Sequence, residues 1–574
     1  MAARRSVPEP STQRHGGSAA IIIDELRGIQ RQHGYLPAEA LRDLAGRMQI
    51  PLYHVQGVAS FFPHFRLAPP PAVDVRVCAD MSCHLRGAER LRRGVEARLE
   101  QRGTTGVVVR PASCLGQCDR APAAALNDTI LGHLTPASLA VAVETALRGG
   151  DPPGAARSTP AGPLAVDPYG GERSYGALRD LVKSGDTDGF LAAVKASGLR
   201  GLGGAGFPTA TKWDHVRHAH GAVKYVVCNA DESEPGTIKD RFLMERVPHL
   251  IVEGMIMAAI AVGARSGIIY IRHEYGPQIE SMRAELERCG REGLIGPDVL
   301  GSGIPFELTV FVSPGGYICG EETALYEVLQ GNRAEPRNKP PHSAYRGLWN
   351  RPTLMNNVET FATVPLIARR GPEWFRAQGR GESPGVKFVG ISGHVEAPGV
   401  YEIAMGTPVS ELLERAGGVL GGQRLKAFAS SGSSSGYLPP SLIDTPLDFP
   451  HLTAVGSMLG SGAVVICGEE TCMLDMALNA VRFFRNESCG KCVPCRVGTV
   501  KLTDILSGIA SGRGRREDLD LIADLSHAMA ETSICGLGQV APAPIRSVIR
   551  HFPEEIEAHV VDRQCPADVC PMTE

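Results

Sequence analysis

Lys224-Tyr225-Val226-Val227-Cys228-Asn229-Ala230-Asp231-Glu232-Ser233-Glu234-Pro235-Gly236-Thr237 is an apolar run that passes without a break into a polar, acidic segment. The apolar part reads as a buried strand and the part ending in Pro235-Gly236 as a loop. Gly267-Ile268-Ile269-Tyr270-Ile271 is a second strand, and helical stretches stand between such runs. The alternation predicts a mostly parallel α/β sheet. Ligands on such a sheet sit in the loops after its strands, so the acidic segment is a candidate site.

Outward from this core the pattern changes. Residues 149–163 contain Pro152, Pro153, Pro160 and Pro163 with few apolar side chains, the composition of a linker. Before it, 18–66 read as short helices. Val73-Asp74-Val75-Arg76-Val77 alternates as a strand, an Arg-rich helix with a solvated face spans Leu85 to Leu99, a strand covers Val107 to Val109, and a helix lies near Leu139 to Leu147. From about Lys387 short strands predict a small α+β module with a helix at Val409 to Ala416, and beyond Glu470 the chain reads as helical. The expected units are a disordered lead-in at 1–17, an N-terminal unit at 18–148, a linker at 149–165, an α/β domain at 166–386, a module at 387–469 and a helical domain at 470–574. Several domains are expected of 574 residues, since one core rarely serves more than about 250–300.

A net charge of −3 leaves no basic footprint for nucleic acid. The longest apolar stretch, Leu250 to Ala264, holds Glu253 and is shorter than the roughly 20 residues a membrane helix needs. Arg4-Arg5 is followed by Pro8-Glu9-Pro10 rather than by an apolar signal-peptide core. Of the 15 cysteines, eight fall into cluster-like sets, which fits a reducing cytoplasm better than a disulfide framework.

Cys489, Cys492 and Cys495 lie in one loop, and Cys535 stands alone much later. Three thiolates from one tight loop and a remote fourth suit the corners of a [4Fe-4S] cube, whereas zinc sites usually pair two C-x2-C knuckles. The second set is Cys78-x4-Cys83 after one predicted strand and Cys114-x3-Cys118 after the next. These pairs can converge at one end of a sheet and suit a [2Fe-2S] cluster. Cys228, Cys289, Cys319, Cys467 and Cys472 read as packing residues. Cys565-x4-Cys570 has metal-compatible spacing, but no second pair is visible beside it.

Gly201-Leu202-Gly203-Gly204-Ala205-Gly206-Phe207 offers backbone N–H groups that can approach phosphates or a flat ring, and Lys212 adds a cation. Tyr317 to Ala324 and Pro352 to Thr360 are further polar clusters.

Gly34-Tyr35-Leu36-Pro37, Gly57 to Phe62 and Cys114-Leu115-Gly116-Gln117-Cys118-Asp119-Arg120-Ala121-Pro122 resemble the thioredoxin-like [2Fe-2S] subunit of complex I, the 24 kDa type. The glycine run and the polar clusters resemble the 51 kDa flavoprotein subunit, over residues 170–560, and the diaphorase subunits of NAD-linked hydrogenases and formate dehydrogenases. The resemblance implies a multidomain α/β protein with a helical segment and thioredoxin-like domain, a Rossmann-like FMN/NAD domain, a ubiquitin-like module and a C-terminal helical bundle. It further implies FMN held by Gly201, Gly203, Gly204, Gly206, Lys212, Asn229, Asp231, Glu232, Gly320, Glu321, Asn356 and Asn357. Phe207, Glu234, Tyr317, Glu322 and Lys339 would surround NAD, while His215 and His342 stand where the family often has adenine-stacking phenylalanines.

Hydride moves two electrons and a cluster takes one, so a flavin must divide the pair. The expectation is hydride exchange between NAD(H) and FMN without a catalytic side chain, and single-electron passage through both clusters. Fusion of the two resembled subunits points away from complex I. It points toward a cytoplasmic formate dehydrogenase whose large partner holds a molybdenum or tungsten pterin and further iron–sulfur clusters. The alternatives are the diaphorase subunit of a soluble NAD-reducing [NiFe] hydrogenase and a non-catalytic iron–sulfur relay or scaffold.

Overall fold

The computed structural model describes residues 22–150 and 164–572; the expected lead-in and most of the expected linker lie outside the described residues. Helices Ile22–His33, Ala38–Met48 and Leu52–Phe61 form the N-terminal helical segment. A sheet of order β2-β1-β3-β4 follows, with β1 Val73–Cys78, β2 Val107–Ala112, β3 Ala124–Leu126 and β4 Thr129–Leu131. Strands β1 and β2 are parallel neighbours, so the loops after them emerge at one end. The β3–β4 hairpin is absent from the sequence expectation. Its strands have three residues each, and Ala124-Ala125-Leu126 lacks the β-branched residues by which strands are recognised. The Arg-rich helix is also two helices, Met81–Leu85 and Ala88–Gln101, separated at Gly87 with φ 84°. Its arginines face solvent, with Arg92 and Arg93 paired to Glu89 and Glu96.

The central sheet is entirely parallel, in the order β7-β6-β5-β8, formed by β5 Tyr225–Ala230, β6 Ser266–Arg272, β7 Glu307–Ser313 and β8 Thr353–Asn357. The chain leaves β5 toward β6 on one side and returns as β8 on the other. The resulting switch point opens a crevice beyond the carboxyl ends of β5 and β8, where ligands of such sheets bind.

The apolar stretch around Leu250 is the helix Pro248–Val262, buried almost all round beside the helix Val358–Arg370. Their contact depends on Gly254, where a Cβ would fall 2.0 Å from the Phe361 carbonyl oxygen. Inside, Glu253 Oε1 accepts from Tyr169 Oη and the Leu178 N–H, each at 2.9 Å, while its Oε2 is buried without a partner. Among the described residues no helix is long and apolar enough to cross a membrane.

The third sheet, β10-β9-β12-β11, is mixed: β9 Val386–Gly393, β10 Gly399–Ala404, β11 Leu425–Ala429 and β12 Ala463–Gly468, with the helix Val409–Arg415. Beyond it run the helices Met473–Glu487, Val493–Ala510, Glu517–Thr532 and Ala543–His551. The first of these grips the N-terminal domain. Asn479 accepts from the Met81 N–H at 2.9 Å and donates to the Ala79 carbonyl at 2.8 Å, while Asp475 meets His84 at 2.6 Å.

Candidate active site and cluster sites

Asn229 closes β5 and Asn356 and Asn357 close β8, so register places all three at the switch-point crevice. Asn229 donates to the Gly320 carbonyl at 2.8 Å, which draws the loop after β7 toward β5. Asn356 accepts from the Trp213 indole at 2.8 Å. Asn357 caps the helix Val358–Arg370 through the Glu359 N–H at 3.0 Å and donates to Asp240 at 2.6 Å. The glycine run lies over that helix start, with the Leu202 N–H on Thr360 Oγ1 at 2.9 Å. At Gly203 a Cβ would come within 2.7 Å of Asn357 Cβ, so the close approach is open only to glycine. Gly206 serves a different purpose. It has φ 63°, and a Cβ there would enter the Phe449 ring at 2.4 Å, so it seats the loop on the third domain.

Burial pushes the Asp231 carboxyl up to about 8, against the pull of Arg272, and its Oδ2 is buried with no hydrogen-bond partner. A buried polar atom without a partner costs about 1–3 kcal/mol, so a ligand hydroxyl or amide facing it would offset that cost. Together with the glycine cradle it fits a flavin mononucleotide. Glu232, expected at the flavin, also has partners within the protein. Its carboxylate accepts from the Asp240 N–H at 2.8 Å, the Arg241 N–H at 3.0 Å and Tyr275 Oη at 2.9 Å, so it caps the helix Lys239–Arg246 from within.

Two of the expected nucleotide residues, Glu322 and Lys339, pair with two of those expected at the flavin. Lys212 pairs with Glu322 at 2.9 Å and Lys339 with Glu321 at 3.1 Å. Burial alone would raise Glu322, but Lys212 and Lys339 outweigh it and hold the carboxyl below its usual range. Glu234 accepts from the Ser434 N–H and Oγ, each at 2.9 Å; burial pushes it up to about 7, while Tyr317 and Ser434 pull it back. Phe207 stands 50% exposed, a large ring without cover on the glycine loop. His215 stacks toward Tyr345 at 6.4 Å between ring centres, and His342 is exposed ahead of Ser343–Arg346.

The two cysteine quartets flank this crevice. Cys78 ends β1, Cys83 lies in Met81–Leu85, and Cys114 and Cys118 follow β2; all four are buried free thiols, with Cys114 and Cys118 Sγ atoms 3.6 Å apart and Cys78 in hydrogen-bonding reach of Cys83 and Cys114. Their loop docks on the central domain. Arg241 donates to the Gly116 carbonyl at 2.6 Å, to Gln117 at 2.8 Å and to both Asp119 oxygens at 2.8 Å, and Arg272 to the Cys114 carbonyl at 2.7 Å. The Gly236 N–H, at the end of the acidic segment, reaches Cys118 Sγ at 3.2 Å. On the other flank Cys489, Cys492 and Cys495 occupy the turn into Val493–Ala510, and Cys535 precedes Gly536–Val540. Gly538 lets the last segment close on Cys495, since a Cβ would lie 2.8 Å from Cys495 Cβ. Burial pushes the Cys535 thiol up to about 12, with the Glu321 carboxylate and Cys489 adding to the rise.

Sequence reasoning missed the ionic group beneath the glycine loop. Lys239 meets Asp240 at 2.6 Å and Glu359 at 2.9 Å, and Lys387 pairs with Glu359; all four are buried. Lys239 also donates to Asn357 Oδ1 at 3.0 Å and Lys387 to the Leu202 carbonyl at 3.3 Å. Only the improbability of four charges inside a core could have signalled them, and that needs the fold.

A cradle at a switch point, with a thiol quartet docked on either side, defines an iron–sulfur flavoprotein. Residues 194–366 match the Nuo51 FMN-binding domain, 475–559 the NADH-ubiquinone oxidoreductase-F iron-sulfur binding region, 9–146 the thioredoxin-like [2Fe-2S] ferredoxin and 388–434 the SLBB domain. The chain is 45% identical to the F 2 subunit of the NADH-quinone oxidoreductase of Rhizobium meliloti (strain 1021), over 68% of this chain and 93% of that one. It is 40% identical to HndC, a subunit of the NADP-reducing hydrogenase of Solidesulfovibrio fructosivorans, over 71% and 83%. A chain of the NAD+-reducing [NiFe]-hydrogenase in its air-oxidized state superposes with TM-score 0.83 at 33% identity, covering 93% of both. The chain therefore belongs to the family of the FMN-binding flavoprotein of NADH-quinone oxidoreductase: an oxidoreductase subunit of the FMN diaphorase type that passes electrons through [4Fe-4S] and [2Fe-2S] centres, fused to its thioredoxin-like domain.

Proposed function

We propose that this chain is the diaphorase subunit of a cytoplasmic NAD-linked formate dehydrogenase, reducing NAD+ with electrons from a large partner that carries a molybdenum or tungsten pterin. One observation carries the diaphorase part. The segment from Asn229 to Gly236 runs from the flavin crevice to a hydrogen bond on Cys118 Sγ, so the flavin site and one cluster share a continuous stretch of backbone.

When bound, FMN supplies the exchange between hydride and single electrons. The protein positions and shields. Gly201, Gly203, Gly204 and Gly320 admit the flavin to the backbone, Asn229, Asn356 and Asn357 fix the crevice, and Asp231 offers the free buried oxygen. Lys212 with Glu321, Glu322 and Lys339 forms the charged rim for the dinucleotide. Glu234 and Tyr317 face it from the cluster side, and Phe207 supplies an uncovered ring for stacking. No side chain is needed to take a proton at the hydride step.

Fusion of the two subunit types supports a soluble complex rather than complex I. Formate as donor rests on that analogy. The match over 93% of a NAD+-reducing [NiFe]-hydrogenase chain favours a second reading in which hydrogen is the donor. Purification of the native complex separates them: molybdenum or tungsten with formate-dependent NAD+ reduction is expected, and nickel with hydrogen-dependent reduction overturns the formate reading.

A further inference from the structure

The C-terminal tail carries a feature of which the matched regions include only His559. Cys472, His559, Cys565 and Cys570 bring one ligand atom each within 4.8 Å of one another. The family match ends at residue 559, before the last two cysteines. Cys472 is thus more than the packing residue expected of it, and the partners that the sequence failed to show for Cys565 and Cys570 come from about ninety residues upstream and from the helix just before the tail.

The geometry is that of one small ion. Cys472 Sγ lies 3.6 Å from Cys570 Sγ and 3.4 Å from His559 Nε2. Around tetrahedral zinc, with Zn–S of about 2.3 Å and Zn–N of about 2.0–2.1 Å, sulfurs stand about 3.8 Å apart and sulfur and nitrogen about 3.5 Å. An iron–sulfur cluster spreads its thiolates over several irons and needs more room. The histidine is pre-oriented. Its Nδ1–H donates to the Glu555 carbonyl at 2.6 Å, which leaves Nε2 to face the sulfurs, the arrangement that fixes metal-bound imidazoles. The ring is fully buried in the π-helical turn Ala558–Asp562, a distortion frequent at functional sites. The Glu555 carboxylate also accepts from the Met473 N–H at 3.0 Å, so one residue braces both halves of the set.

We propose that Cys472, His559, Cys565 and Cys570 form a Cys3His structural zinc site that staples the tail to the first turn of the helix Met473–Glu487. Binding displaces three thiol protons and leaves all four coordination positions filled by protein, so the site is closed and not catalytic. The staple acts where it matters to the cofactors. The same helix holds the Cys83 segment through Asp475 and Asn479 and ends at Glu487, which accepts from the Tyr317 N–H at 2.7 Å.

Metal analysis of the purified full-length protein is expected to give one zinc per chain besides the cluster iron, with three sulfurs and one nitrogen by zinc-edge absorption. In C565S/C570S zinc should fall at least tenfold while iron and FMN contents hold, which distinguishes a specific site from general unfolding. C228S serves as control and should keep its zinc. The proposal is overturned if the wild type holds no zinc, if iron occupies the set, if Cys472 and Cys570 are found joined as a disulfide, or if the double variant retains its zinc.

Discussion

Replacing Glu359 by Gln tests whether the buried ionic group holds the flavin loop in place. Lys239, Asp240, Glu359 and Lys387 are at most 3% exposed, two cations balanced by two anions. Glutamine keeps an acceptor for the Phe388 N–H, now bound by Glu359 at 2.7 Å, but removes the carboxylate charge that both buried ammonium groups share. Breaking a buried pair costs about 3–5 kcal/mol, and the retained acceptor argues for the lower end. At about 2–4 °C per kcal/mol for a domain of this size, the flavin-domain transition should fall by about 6–12 °C. The loss has a pH signature. Burial pushes the Lys387 amine down to about 8, with Glu359 raising it and Lys239 lowering it. Its folded value lies below the unfolded value of about 10.4, so charged Lys387 burdens the folded state below pH 8 and the burden lifts as pH rises. Above pH 8 the wild type no longer benefits from a charged Lys387–Glu359 pair. The gap between wild type and E359Q should therefore narrow from pH 7 to pH 9, read by scanning calorimetry with flavin fluorescence reporting release. A gap that is absent at pH 7, or constant across that range, refutes the reasoning.

Gly203→Ala should weaken FMN retention about 5- to 150-fold, because its Cβ meets Asn357 and overpacking costs about 1–3 kcal/mol; flavin released from the purified variant measures it. Cys492→Ser should remove the cubane's EPR signal and spare NADH:ferricyanide activity, and joint loss would make that cluster a structural requirement of the flavin site. Glu234→Ala should raise the apparent KM for NADH at unchanged flavin content; loss of flavin instead would move Glu234 to the cofactor.

What could be read from the sequence was what short-range chemistry makes local. Thiolates of one cluster loop must lie a few residues apart, so spacing alone marks Cys489, Cys492 and Cys495, Cys78 with Cys83, and Cys114 with Cys118 as candidates. Strands β5 and β6 were legible because burial on both faces demands unbroken β-branched runs. The β3–β4 hairpin was not, since strands of three residues are set by pairing to β1 and not by their own composition. Glu232 carries a role that spacing does not show: its carboxylate accepts from orphan N–H groups at the start of the next helix. The Cys472 set escaped because its members are assembled by a helix end and a tail that no spacing rule connects.

The same contacts explain why fusion alone does not couple the two redox domains. A linker raises the local concentration of one domain near the other but fixes no orientation. Orientation comes from Arg241 and Arg272, both buried, which bind the carbonyls and side chains of the Cys114–Asp119 loop. Only in that docked position can the Gly236 N–H reach Cys118 Sγ. An N–H donated to a cluster sulfur favours the more negative, reduced state, and hydrogen bonds to sulfur are among the features that set cluster potentials. With Cys118 as a ligand of the [2Fe-2S] centre, docking on the flavin domain would tune that centre as well as place it. The guanidinium clamp, drawn from β6 and from the helix that Glu232 caps, makes the two parts one electron-transfer unit.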